Sequence, residues 1–251
     1  PSNPVSTNGM NTVIDYDGTS WTVGTGTINN LRTIGGGSGP ATLALLYGGQ
    51  GGGTTRIGNT ESYDGTTWTE LADLSTARYG EGAPAGTQNA ALFFVGGDTS
   101  PPESTNATEE WNDYTSTNPA PSLTMMNEGQ IWYNTAGNAL KYTTYQAGTW
   151  ASSGALNTIR QGGAGAGTQT AGIVGGGQII LAPITRYANT ETYDGSSWTE
   201  VNNLNTARGG CEGAGTQTGA LCISGIIPPQ SAAVESYDGT SWTEVADVNT
   251  A

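Results

Sequence analysis

The chain has 251 residues with 40 Gly, 11 Pro, 7 Trp and 11 Tyr, enough for one large all-β domain and below the Gly and Pro content that marks low-complexity disorder. Asp plus Glu number 21 against 7 Lys plus Arg, and with no His the net charge is −14, which excludes nucleic acid and anionic lipid surfaces as partners. No apolar run approaches the roughly 18 residues that span a bilayer, and Pro1 to Met10 carry no leader pattern, so no membrane insertion is expected. Lys141 is the lone lysine among abundant Thr, Ser, Asn and Gly, a composition that points to an exported surface.

After a tail over 1–11, the first predicted element is a hairpin over 12–23 in which Tyr16 and Trp21 bracket Asp17-Gly18. Asp tolerates the left-handed region and caps its own backbone, while Gly adopts positive φ freely, so the pair suits a tight turn. The motif Tyr-Asp-Gly-x-x-Trp returns at Tyr63 to Trp68, Tyr193 to Trp198 and Tyr237 to Trp242. The unit over 32–71 opens on Arg32 and ends on the second copy of the motif. In the unit over 78–118, Arg78 opens a small-residue stretch, Gly86-Thr87-Gln88 makes a turn, Ala90 to Val95 runs into Gly96-Gly97, and Thr108-Glu109-Glu110-Trp111 forms a third strand. Its last strand is expected near 115–122, where Pro119 and Pro121 stand and Trp is missing. The unit is therefore a four-stranded meander.

Trp111 takes the Tyr position there, and Tyr145 with Trp150, spaced as in the plain copies, marks a compressed unit over 121–152 that holds Gln130 to Thr135 and Ala139 to Tyr142. Units over 160–201 and 208–245, opening on Arg160 and Arg208, complete the series. A motif returning every few tens of residues means that no copy buries its apolar face alone, so the units must stack. The expectation is one β-propeller domain over 12–251: five full four-stranded blades plus an N-terminal two-stranded half blade, six-bladed when completed. Outer hairpins outnumber inner ones, since Val248-Asn249-Thr250-Ala251 stops short of the Arg that follows the like stretches. A partner for the exposed inner-strand edges is expected.

The Gly-Gly after the second strand, the Tyr-Asp of the third and the Trp of the fourth resemble the Kelch repeat over about residues 12 to 248. More narrowly, Gly-Ala-Gly-Thr-Gln-Thr at 165–170 and 213–218, with Thr-Glu-x-Tyr-Asp-Gly-x-Ser-Trp-Thr-Glu-Val, looks like the Kelch-like repeats of marine bacteriophage structural proteins. The segment Glu128 to Thr135 with Leu140-Lys141-Tyr142 is similar to one common in phage tail-fibre and virion proteins. The resemblance implies a non-enzymatic virion component, a tail fibre, appendage or decoration protein, packed against copies of itself or other fibre proteins and contacting a host surface glycan or protein.

Enzymatic readings find little support. Ser62 to Trp68 falls one residue short of the sialidase Asp-box, a turn element even in that family, and no arginine cluster accompanies it. Galactose oxidase is a Kelch enzyme, but its copper site needs imidazole and this chain has no His. No Asp-x-Asp-x-Asp spacing suggests calcium, and the glycine run 163–167 is followed by no helix that could bind phosphate. No catalytic residue, cofactor or metal is therefore expected. Arg32, Arg78, Arg160 and Arg208 recur with Glu61, Glu109, Glu191 and Glu235, and the expectation is that each Arg bridges backbone carbonyls or a Glu between adjacent blades. A carbohydrate-binding propeller is the alternative, with Trp132, Tyr79, Tyr114 and Tyr187 as stacking platforms. Cys211 and Cys222 face each other if Thr216-Gln217 forms a two-residue turn, leaving a disulfide or two buried thiols as readings.

Overall fold

The structure, a computed structural model, describes residues 10–52, 55–79, 83–97, 104–113, 131–134, 139–142, 148–228 and 230–249. All regular structure in these residues is β. An antiparallel hairpin of β1 (Met10–Tyr16) and β2 (Trp21–Arg32) comes first. Sheet 1 is a meander of β3 (Gly36–Ser38), β4 (Leu45–Tyr47), β5 (Thr60–Tyr63) and β6 (Trp68–Glu70). Sheet 2 begins with β7 (Ala83–Gly86), β8 (Ala90–Phe94) and β9 (Thr108–Asn112). A separate hairpin, β10 (Ile131–Asn134) with β11 (Ala139–Tyr142), intervenes before β12 (Thr149–Ser153) completes that sheet.

Sheet 3 starts with β13 (Ala164–Thr168) and β14 (Ala171–Gly175), then a small loop hairpin of β15 (Gln178–Ile179) and β16 (Thr185–Arg186). It ends with β17 (Thr190–Tyr193) and β18 (Trp198–Val201). Sheet 4 is β19 (Glu212–Thr216), β20 (Gly219–Ile223), β21 (Val234–Tyr237) and β22 (Trp242–Val245). Successive first strands adjoin, β3 with β7, β7 with β13 and β13 with β19, and all four line one channel. The arrangement is that of a β-propeller.

The apolar core lies between sheets rather than inside any one of them. Leu45, Tyr47 and Leu74 meet Ala91, Phe93 and Trp111, while Leu92 and Phe94 meet Tyr193 and Trp198. Covering each such large side chain is worth about 1.5–3 kcal/mol, so a sheet gains its stability from its neighbour.

The last strand assigned to the predicted blade over 121–152 belongs instead to sheet 2. Trp150 lies directly across from Trp111, as Trp198 lies across from Tyr193, and β12 pairs along the whole of β9. The tryptophan missing from the expected strand at 115–122 is therefore Trp150, delivered from beyond an insertion. The described residues contain four four-stranded sheets in place of five full blades. Spacing misled here because a sheet pairs by register and not by distance along the chain, so the five-residue step from Tyr145 to Trp150 imitated a turn. Tyr145 itself lies outside the described residues.

The Asp-Gly turns behave as their chemistry requires. Asp64 Oδ1 accepts the backbone N–H groups of Thr66 and Thr67 at 2.8 Å each, and Asp194 Oδ1 those of Ser196 and Ser197 at 2.9 and 2.8 Å. The following glycines, Gly65 and Gly195, sit at φ +94°. Hydrogen bonds from the Ser197 N–H, the Ser196 hydroxyl and the Ser196 N–H pull the Asp194 carboxyl down to about 2. A depressed carboxyl contributes stability above its ordinary value and loses it as pH falls through the folded value. Stability should accordingly drop as pH falls from 3.8 towards about 2, and urea midpoints across that window should decline less steeply in Asp194→Asn than in the parent.

Candidate functional site: the axial channel and the joints around it

Every sheet is entered through a buried arginine. Arg32 Nη2 meets Glu61 at 2.5 Å and Arg78 Nη2 lies 3.2 Å from Glu109, while Arg160 pairs with Glu191 and Arg208 with Glu235. All eight side chains are at most 3% exposed. Each pair lies within one sheet, joining the segment before the first strand to the third strand. The expected Arg–Glu bridge between adjacent blades is thus corrected. The reason is geometric: the arginine sits where the connector turns into its own sheet.

In sheets 1, 3 and 4 backbone carbonyls take a further share of the guanidinium's hydrogen bonds. Arg160 Nη1 donates to the carbonyls of Gly176 and Asn189, at 2.9 and 2.6 Å. Glu191 accepts the N–H groups of Asn157 and Thr158 at 2.7 and 3.2 Å, and Asn157 Nδ2 reaches the Trp198 carbonyl at 3.0 Å. Asn29 and Asn205 repeat these contacts in sheets 1 and 4, and Ser75 replaces them on Glu109. Burial pulls the Arg32 and Arg160 guanidinium groups below their usual range, and the glutamate charges oppose the shift.

Two further contacts run between sheets. Gln88 donates to the carbonyls of Ala44 and Tyr63, Gln169 to that of Trp111, and Gln217 to those of Gly172 and Tyr193. The recurring Gly-Thr-Gln thus clips each sheet onto the one before it. Its repetition at 86–88, 167–169 and 215–217 was the signal, although its partners lie outside any local pattern. The second contact is indole to hydroxyl: Trp150 to Thr60, Trp198 to Thr108 and Trp242 to Thr190, at 2.9, 3.0 and 2.9 Å. Trp68 Nε1, in sheet 1, is buried with no acceptor among the described residues. Burial and a hydrogen bond to Glu110 push the Tyr193 phenol up to about 12.

The mouth of this channel is a shallow, solvent-open depression of about 250 Å³ lined by Gly37, Ser38, Ala85, Gly165, Ala214 and like small residues. Among the described residues no carboxylate or thiol is in its wall. Its described lining presents peptide groups and the Ser38 hydroxyl, which donates to the Thr87 carbonyl at 3.1 Å. Among the described residues no group of three or more Cys, Asp or Glu could hold a metal ion.

Of the proposed stacking aromatics, Tyr79 and Tyr187 have described side chains. Tyr79 is half-buried, with the Arg56 guanidinium over its ring at 5.0 Å, and Tyr187 is half-buried in the loop between β14 and β17. Trp132 is on β10 and Tyr114 lies outside the described residues. The cysteine pairing is also corrected. Thr216 pairs with Gly219, so the turn is Gln217-Thr218, and Cys222 faces Gly213 instead of Cys211. Both thiols are buried and free. The Cys211 contact, with burial, pushes the Cys222 thiol up.

No family model and no curated protein matches the chain. Among solved structures, that of YjhT matches with a TM-score of 0.67 at 12% identity, covering 94% of this chain and 76% of that one. The likeness is one of fold.

Two outcomes follow. Arg160→Met strands a buried Glu191 and should cost about 3–5 kcal/mol in urea unfolding, with Arg160→Met/Glu191→Leu recovering much of the loss. Under denaturing conditions without reductant, alkylation should modify both Cys211 and Cys222, and prior reduction should leave the intact mass unchanged.

Proposed function

We propose that this chain is a propeller of Kelch-like repeats that serves, without catalysis, as a structural and adhesive component of a bacteriophage virion. It would be a tail fibre, appendage or decoration protein, packed against copies of itself or other particle proteins. The observation that carries this reading is the use to which the repeated residues are put. The arginines and their glutamates seat each connector on its own sheet, and the glutamines and the Trp–Thr pairs hold neighbouring sheets together. What remains outside is largely polar and acidic, with an exposed apolar face on the N-terminal hairpin, a surface suited to packing and display.

The phage assignment draws on the likeness of the repeats at 165–170 and 213–218, and of the segment around Trp132, to phage structural proteins. Antiserum raised against the chain should label particles at a defined site under the electron microscope. Purified particles that lack the polypeptide would sink the virion reading. Saturable binding on a glycan array, abolished by Trp132→Ala, would instead favour a carbohydrate-binding propeller.

A further inference from the structure

The three internal joints obey one rule. The tryptophan opening the fourth strand of a sheet lies over the second-strand residue that faces the third-strand threonine of the sheet before. Trp150 packs on Tyr47 and Trp198 on Phe94, with centroids 4.9 and 4.8 Å apart, and Trp242 lies against Gly175, where a Cβ would come within 3.0 Å of the ring. Tyr47, Phe94 and Gly175 face Thr60, Thr108 and Thr190, the hydroxyls that receive the indole N–H groups.

Sheet 4 carries the same face with no sheet behind it among the described residues. Ile223 holds the platform position, opposite Val234. It is half-buried, as is Leu221, whereas the equivalents of Leu221 in the other sheets, Leu45, Leu92 and Ile173, are at most 1% exposed. Valine in place of threonine asks for an apolar contact and offers no acceptor.

The N-terminal hairpin carries the complement. Trp21 is 70% exposed and Val23 77%, with Ile14 and Tyr16 at 53% and 50%. Tyr16 pairs with Trp21 and Ile14 with Val23, so the four share one face. In sheets 1, 3 and 4 the positions of Ile14 and Val23 hold cross-strand glutamates, Glu61 with Glu70, Glu191 with Glu200 and Glu235 with Glu244. The hairpin has exchanged both carboxylates for aliphatic groups, which removes the acceptor for an arginine and leaves a contiguous apolar patch of Ile14, Tyr16, Trp21 and Val23.

We propose that the β1–β2 hairpin of one copy docks on the open face of sheet 4 of a second copy, with Trp21 over Ile223 and Val234. The joint continues the interface already used three times within the chain, and it joins two different patches. Such a heterologous contact closes into a ring or grows into a filament. At a net charge of −14 the copies repel one another, so added salt should strengthen the association. This inference rests on the reading that the chain packs against its own copies.

Sedimentation velocity on the 251-residue chain over a concentration series tests it. The parent should self-associate, and Trp21→Ser and Ile223→Glu should each weaken association by about thirtyfold or more, the loss expected of a hot-spot anchor. Mixed in equal amounts, the two variants should form a one-to-one heterodimer and nothing larger, since one retains the hairpin and the other the sheet face. Trp21 is exposed, so its variant keeps the fold and carries the test even if Ile223→Glu unfolds. Association that survives Trp21→Ser, association lost in Trp21→Ser but kept in Ile223→Glu or Leu221→Lys, or a parent monomeric at every concentration would each overturn the joint. A monomeric parent whose antiserum still labels particles would sink this joint and leave the virion reading standing.

Discussion

A guanidinium and a carboxylate, both taken out of water, set the frame on which the other contacts hang. The ladder hydrogen bonds of a short strand contribute about 0.5–1.5 kcal/mol each, whereas leaving one member of a buried ion pair alone costs about 3–5 kcal/mol. The larger penalty means that a connector cannot enter its sheet in any register but the one that brings Arg160 to Glu191, or Arg208 to Glu235. That choice then places the neighbouring peptide groups of Asn157 and Asn205 on the same carboxylates. Sheet 2 achieves the same end with Ser75, and with the Arg78 guanidinium 4.6 Å from the Phe93 ring.

Arg32, Arg78, Arg160 and Arg208 lie inside, which leaves few cations for the surface, while the turn aspartates and the outer-strand glutamates face solvent. The surface is therefore more uniformly anionic than a net charge of −14 spread over the whole chain suggests. Such a field keeps copies apart unless an apolar contact overcomes it.

Much of this was legible in the sequence, and the failures have physical causes. The Asp-Gly turns, the meander and the paired aromatics are local features, written in consecutive residues such as Tyr193 to Trp198. Trp111 and Trp150 meet only through register, so no spacing rule could join them. The cysteine pairing failed because the hairpin turn lies one residue later than assumed, at Gln217-Thr218, and in a strand each one-residue step re-pairs every position. The Arg–Glu pairs were anticipated as residues but not as geometry, since a sequence repeat does not say whether a partner lies in the same sheet or the next. The roles of Gln88, Gln169 and Gln217 were out of reach for the same reason.

The break between β9 and β12 says something about how such a chain can be elaborated. In sheet 3 the turn between paired strands spans residues 194–197, whereas in sheet 2 it spans 113–148, and β12 still pairs with β9 along its full length. By the logarithmic scaling of loop closure, the longer excursion adds about 2 kcal/mol of entropy cost, comparable to what one large side chain recovers when a neighbouring sheet covers it. The connection between the third and fourth strands therefore accommodates a long intervening segment, the β10–β11 hairpin included, while the closing strand keeps its full register.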